Sequence, residues 1–351
     1  MMFKIKFPAV TTVGETAISN EEKELMPSTK QKAAPAAKKS ATVVKKSAPA
    51  VSKAAPAVPT TTKATHAGPG FLGSVFKQPK PADAFFHVLP LPLVGERFKA
   101  SAMASAPAAI LQASNLLESW DGKSIPARHG IYTHDPVDCK GGTEKALAKI
   151  SAEVSKIVKM EKFPIGLGGD GIVSYAMVKG LLDAGVVNFG VIHIDAQADL
   201  RDDDNGNAWS ESCVMKRIVD EDVPLFQIGV RSLSKEESEA RRVYGVKFYD
   251  ADFLVSRNVT KVELPGDFPE NVFLCIDIDG FDPSVFPSPG AVPGGLGWVQ
   301  VLTLIESIAQ QVDILGFDLT EFSPLPGQPY YDHAAALLIY KVMGIVERAR
   351  L

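Results

Sequence analysis

Two short segments of this 351-residue chain concentrate carboxylates at spacings that suit cation chemistry. In His193-Ile194-Asp195-Ala196-Gln197-Ala198-Asp199, positions 193, 195, 197 and 199 fall on one side for as long as the backbone stays extended, because side chains alternate along a strand. In Asp277-Ile278-Asp279-Gly280-Phe281-Asp282-Pro283 the same alternation pairs Asp277 with Asp279. Most loop aspartates cap helices or form turns. These acids instead continue strongly apolar runs, which places them at strand ends. Two carboxylates about 4 Å apart repel by about 4 kcal/mol at an effective dielectric near 20. Such a cluster must protonate, spread or hold a cation.

The elements that carry these ends form a regular series. Short β-rich apolar runs are predicted at Phe85–Leu89, Gly130–His134, Phe163–Leu167, Asn188–Asp195, Leu225–Val230, Val246–Tyr249, Val272–Asp279 and Asp313–Leu319. Helices are predicted between most of them. The clearest has Leu147, Ile150, Val154 and Ile157 at spacings of three and four. Others start near Pro107, at Ser234 with Glu237 as its capping partner, near Gln300, and from Asp332 onward. This alternation implies parallel strands covered by helices. An open three-layer sandwich and a closed barrel both satisfy it, and both put functional side chains at the carboxyl ends of strands.

Composition separates a tail from a body. Between Pro27 and Ala82 there are ten lysines and no acid, in a stretch built from Ala, Pro, Lys, Ser and Thr, whereas the whole chain sums to −4, so the remainder is acidic. The tail composition does not bury enough apolar surface to offset chain entropy. Residues 1–82 are therefore expected to be a disordered extension, with a short helix near Ser19–Leu25, and residues 83–351 a single α/β domain. Lacking arginine and interleaved aromatics, the tail reads as a charged spacer rather than a nucleic-acid arm, although nucleic-acid contact through its lysines is the competing reading. No run is long enough for a membrane span, and the first residues do not read as a secretory signal, so a cytoplasmic location is expected. Cys139, Cys213 and Cys275 are far apart and odd in number, against a disulfide framework or a zinc knuckle.

The acidic segments also carry a resemblance. His193–Arg201 resembles a signature of the ureohydrolase (arginase/agmatinase) family, and Asp277–Pro283 resembles its second metal motif. Gly168-Gly169-Asp170 looks like the first metal motif, Gly294-Gly295-Leu296 follows in place, and Gly316–Pro324 is similar to the last motif. Order and spacing match from about Ala82 to Ala349, and Ala113-Ser114 with Asp332-His333-Ala334 looks closer to agmatinases than to arginases. The resemblance implies a three-layer α/β/α sandwich around an eight-stranded parallel sheet. It implies a reaction in which two bridged manganese ions activate a water that attacks a guanidinium carbon, releasing urea and an amine. Carried over by position, Asp195 and Asp277 would bridge both ions, Asp199 would bind one and Asp279 the other, and Glu321 would face the substrate guanidinium. It also implies a homo-oligomer, a trimer or hexamer.

Three positions depart from the family pattern. Gly171 and Gln197 stand where the family has its metal-binding histidines, and Glu211 stands where it has a histidine lining the active site. Manganese lies low in the affinity order for a given ligand set, so loss of both imidazoles weakens the site. His193 and His333 are read as supporting residues, and Cys213, with no identifiable histidine beside it, is not read as a nucleophile. The expectation is a degenerate ureohydrolase with little or no guanidine hydrolysis. Two alternatives stand beside it: a working hydrolase whose four aspartates hold magnesium, manganese or calcium through oxygen alone, and an adaptor acting through its tail. Whether any ion or small guanidino compound binds stays open at this level.

Overall fold

The computed structural model describes residues 70–98 and 101–350. Eight strands form one sheet: β1 (Phe86–Leu91), β2 (Ile131–Thr133), β3 (Phe163–Gly168), β4 (Gly190–Ile194), β5 (Leu225–Ile228), β6 (Lys247–Tyr249), β7 (Asn271–Asp277) and β8 (Asp313–Thr320). Every neighbouring pair is parallel, in the order β2-β1-β3-β8-β7-β4-β5-β6. The two outer strands do not pair with each other, which makes the sheet open and excludes the barrel.

Strand alternation divides the core between two faces. On β7, Val272, Leu274 and Ile276 join one buried cluster with side chains of α1 (Ala106–Ser114), α7 (Trp298–Ala309) and α8 (Pro329–Arg350). Phe273 and Cys275 join another with α2 (Thr143–Lys159), α3 (Val173–Asp183) and α4 (Val214–Val219). Helices on both faces explain why the central strands are mostly apolar on both sides. Two further short helices, α5 (Lys235–Val243) and α6 (Ala251–Ser256), follow β5 and β6.

Local signals account for much of this. The α2 stripe of Leu147, Ile150, Val154 and Ile157 is buried, at most 4% exposed. At the start of α5 the Ser234 hydroxyl accepts from the Glu237 amide while the Glu237 carboxylate accepts from the Ser234 amide, a complete capping box. Gly180 of α3 lets that helix close on α2, since a Cβ there would lie 2.5 Å from Cβ of Val154. Phe71 and Leu72 are also buried, and their amides donate to Thr133 and Ser114. The lysine-rich stretch through residue 69 and the expected helix near Ser19 lie outside the described residues.

Both acid-bearing strands end earlier than their apolar runs suggest. β4 stops at Ile194 and β7 at Asp277, where a 3-10 turn, Ile278–Gly280, begins. Strand alternation therefore does not extend to Asp199 or Asp279. The backbone turns there, with Asp199 in the left-handed region at φ 54. At each turn an aspartate caps its own loop: Asp195 Oδ1 accepts from the Gln197 amide, and Asp277 Oδ1 from the Asp279 amide.

Candidate metal centre

The carboxyl ends of β3, β8, β7 and β4 are adjacent at the middle of the sheet, and their acids converge there. Asp277, Asp279 and Glu321 each offer an oxygen within 4.8 Å of the others, and His193, Asp195 and Asp199 form a second group by the same measure. All six are buried, the most exposed being Asp199 at 8%. The Glu321 amide donates to the carbonyl of Gly169, and its φ of 60 is uncommon for a residue other than glycine. Two of the five converging acids thus adopt a backbone conformation that costs energy, as functional sites often do.

Hydrogen bonds leave part of this cluster unsatisfied. Asp277 Oδ2 accepts from the Thr320 hydroxyl at 2.9 Å, and Asp279 Oδ1 from the Ser288 hydroxyl. Asp279 Oδ2 has no hydrogen-bond partner although it is buried. Burial first, and the charges of Asp195 and neighbouring acids second, hold the carboxyls of Asp199 and Asp277 well above the usual range. Burial followed by Asp277 and Asp279 does the same to Glu321, while Asp279 is pushed up to about 7. An unpartnered buried oxygen among mutually repelling acids suits a divalent cation bound through oxygen.

The nitrogen side of the donor set differs. A Cβ on Gly171 would lie 3.0 Å from Glu321 Oε1 and 3.8 Å from Asp277 Oδ2, so this position faces the centre of the cluster and contributes no atom to it. The Gln197 amide nitrogen donates to the carbonyl of Gly290 at 3.1 Å. Glu211 is 6% exposed and lies beside Gly171, its Cβ 3.6 Å from the same Cβ position. The residues fit an oxygen-bound cation and do not supply the two imidazoles of a manganese pair at these positions.

Above the acids opens a cavity of about 1340 Å³, with Arg97, Asp204, Trp209, Glu237 and Val292 in its wall. Its charged lining is mostly acidic. Arg97 is a residue of the cavity wall that the sequence motifs do not point to. It reaches the cavity because the loop after β1 is fastened to the Gly169–Asp170 turn, where the Gly95 amide donates to Asp170 Oδ2 and the Asp170 amide to the carbonyl of Leu93. A Cβ on Gly169 would meet that carbonyl at 2.1 Å, so only glycine permits the approach. The one signal for Arg97 in the sequence is positional: it follows a strand end, as the acids of the cluster do. His333 and Cys213 are not among the residues of either metal-competent group.

The sequence model of the arginase family matches residues 86–344. The N(1)-aminopropylagmatine ureohydrolase of Synechocystis sp. is 30% identical over 274 residues, covering 75% of this chain and 89% of that protein. The enzyme of the same name from Thermus thermophilus is 31% identical, covering 68% of this chain and 82% of that protein. Among solved structures, the arginase of Medicago truncatula superposes with a TM-score of 0.65 at 25% identity, covering 75% of this chain and 88% of that one.

Proposed function

Since the chain belongs to the arginase family, we propose that it is an agmatinase-like member which retains a cation-binding acid cluster and has little or no guanidine hydrolysis. The observation that carries this reading is Gly171. Its Cβ direction points between Glu321 and Asp277, and no ligand atom is attached to it. The Gln197 nitrogen donates its proton to Gly290 and offers no lone pair.

A bound divalent ion supplies water activation in this type of site, by lowering the pKa of the water it holds. The chain's own residues have narrower tasks. Asp195, Asp199, Asp277 and Asp279 would hold the ion, and Glu321 would pair with a cationic guanidinium entering from the cavity. Glu211 sits at the side of the acids with its carboxylate tied to Arg97 at 2.6 Å and to the Ser210 hydroxyl. Both ties favour the ionised carboxylate as an acceptor, whereas a proton shuttle at this position must also donate.

A second reading has one specific observation in its favour. The unpartnered Asp279 Oδ2 supports a working hydrolase on an all-oxygen site holding magnesium, manganese or calcium. Elemental analysis of purified protein, together with urea release from agmatine, separates the two. Substoichiometric transition metal and no urea support the first reading. About two transition-metal ions per chain with sustained urea release overturn it. A symmetric homo-oligomer is part of the proposal and is checked by light scattering.

A further inference from the structure

Four side chains form a hydrogen-bonded line from the surface to the acid cluster, and each donor and acceptor in it is chemically fixed. Asp250 accepts from Arg241 Nη1 at 3.0 and 3.2 Å. Arg241 Nε donates to Gln227 Oε1 at 2.8 Å, and because arginine has no acceptor, that end of the Gln227 amide must be its oxygen. The other end agrees, since Gln227 Nε2 lies 2.7 Å from the carbonyl of Ala198, a pure acceptor. The same Nε2 lies 3.2 Å from His193 Nδ1. An amide NH₂ only donates, so His193 Nδ1 carries a lone pair and Nε2 carries the ring proton. Nε2 itself lies beside Asp195 Oδ2, 3.0 Å from it.

We propose that the tautomer of His193 is set by Gln227 and Arg241, so that Nε2 carries its proton beside Asp195 and the imidazole is withheld from a cation. Spacing alone suggests the opposite. His193 Nε2 lies 3.0 Å from Asp195 Oδ2 and 3.9 Å from Asp199 Oδ2, separations that two ligands of one ion can span when each lies about 2.1 Å from it. The imidazole missing at positions 171 and 197 is therefore present at 193, but its bare nitrogen faces Gln227. Outer partners of metal ligands fix the tautomer and direction of the groups they touch. Here the fixed group is the imidazole of His193. The proposal rests on the preceding reading only in taking the acids as a cation site, since the tautomer follows from the hydrogen bonds themselves.

Nitrogen-15 NMR of histidine-labelled, metal-free protein tests the tautomer, with the His193 signal assigned by its loss in His193→Gln. The expected result is a protonated Nε2 and a bare Nδ1. A protonated Nδ1, or averaged tautomers, overturns the proposal while leaving the cation-site reading intact. Gln227→Glu tests the consequence. A carboxylate there still accepts from Arg241 and accepts from Nδ1–H as well, leaving Nε2 with a lone pair that a cation beside Asp195 can take. If circular dichroism shows the variant folded, Mn²⁺ affinity at pH 8 should rise about tenfold or more, the scale on which such outer partners act. The visible absorption of its Co²⁺ form should gain the signature of a nitrogen ligand. A folded variant with unchanged Mn²⁺ affinity and an all-oxygen Co²⁺ spectrum overturns the withholding role. Should the variant not fold, the wild-type NMR result decides alone.

Discussion

Nη1 of Arg97 lies 2.6 Å from Oε1 of Glu211, joining two residues 114 positions apart at the wall of the acidic cavity. The partners are unequal: the arginine side chain is 57% exposed and the glutamate 8%. Burial of Glu211 in acidic surroundings makes the arginine its main source of neutralisation. The guanidinium of Arg97 in turn feels Glu211, then Glu321 and Asp204.

Arg97→Ala should therefore cost about 1 kcal/mol, since half-exposed pairs contribute little by themselves and the stranded glutamate adds to the loss. Adding Glu211→Gln to that variant should recover most of it. The check is urea denaturation of both single variants and the double. An additive double variant would show that the two side chains are not coupled.

Restoring the imidazoles tests the acid geometry. Gly171 is not among the positive-φ glycines, so its backbone accepts a side chain without conformational strain. The obstacle is Glu321 Oε1, the movable end of a side chain, at 3.0 Å from the new Cβ. Gly171→His with Gln197→His should raise Mn²⁺ affinity about tenfold or more by calorimetry. Urea release from agmatine should remain low until Glu211→His is added. A folded double variant with parental Mn²⁺ affinity would mean that positions 171 and 197 do not reach the cation.

The raised carboxyls set a pH dependence. Asp170 is pushed up to about 6, and Asp279 and Asp318 to about 7, each chiefly by burial. Such acids hold protons in the folded protein that the unfolded chain has already released. Their stabilising contribution is complete below pH 4 and is lost as pH rises through 6 and 7. EDTA-treated protein should lose several kcal/mol between pH 5 and 8, up to about 7 kcal/mol at about 1.4 kcal/mol per pKa unit. Saturating Mg²⁺ or Mn²⁺ should recover part of that at pH 8, because a cation favours the ionised acids. Thermal melts with and without the ion are the measurement, and a metal-free melting temperature that climbs over this interval contradicts the prediction.

Gly180→Ala should destabilise the fold even though alanine favours helix. The new methyl would lie 2.5 Å from Cβ of Val154 and 2.9 Å from the carbonyl of Ser151. Overpacking of this kind costs about 1–3 kcal/mol, more than the propensity gain of under about 1 kcal/mol. Chemical denaturation gives the sign directly.

Period and capping make most of the fold legible from the sequence. The α2 stripe, the Ser234–Glu237 cap and all eight strands follow from residue types within a few positions of one another. Strand order is not legible that way, because it depends on which buried faces meet across the chain. Alternation predicts the reach of Asp199 and Asp279, yet turns achieve it, and their φ values leave little trace in residue type at an aspartate. Gln227 and Arg97 are silent in the sequence for a related reason. Each acts through a partner at a distance along the chain, and neither residue type at its own position signals chemistry.

The sheet order also governs how the centre assembles. Its acids lie on β4, β7 and β8 and the turns after them, and β4 pairs with β7 although some 80 residues separate them. Pairings of such sequence separation are slow to form, because the closure entropy comes before the contacts that offset it. No single strand end carries the whole centre, since one group lies at and after the end of β4 and the other is divided between the ends of β7 and β8. A divalent ion held by both groups should therefore favour the completed sheet, stabilising it by RT ln(1 + [ion]/Kd). During refolding, recovery of ion binding should coincide with the last kinetic phase, well after helical signal has returned.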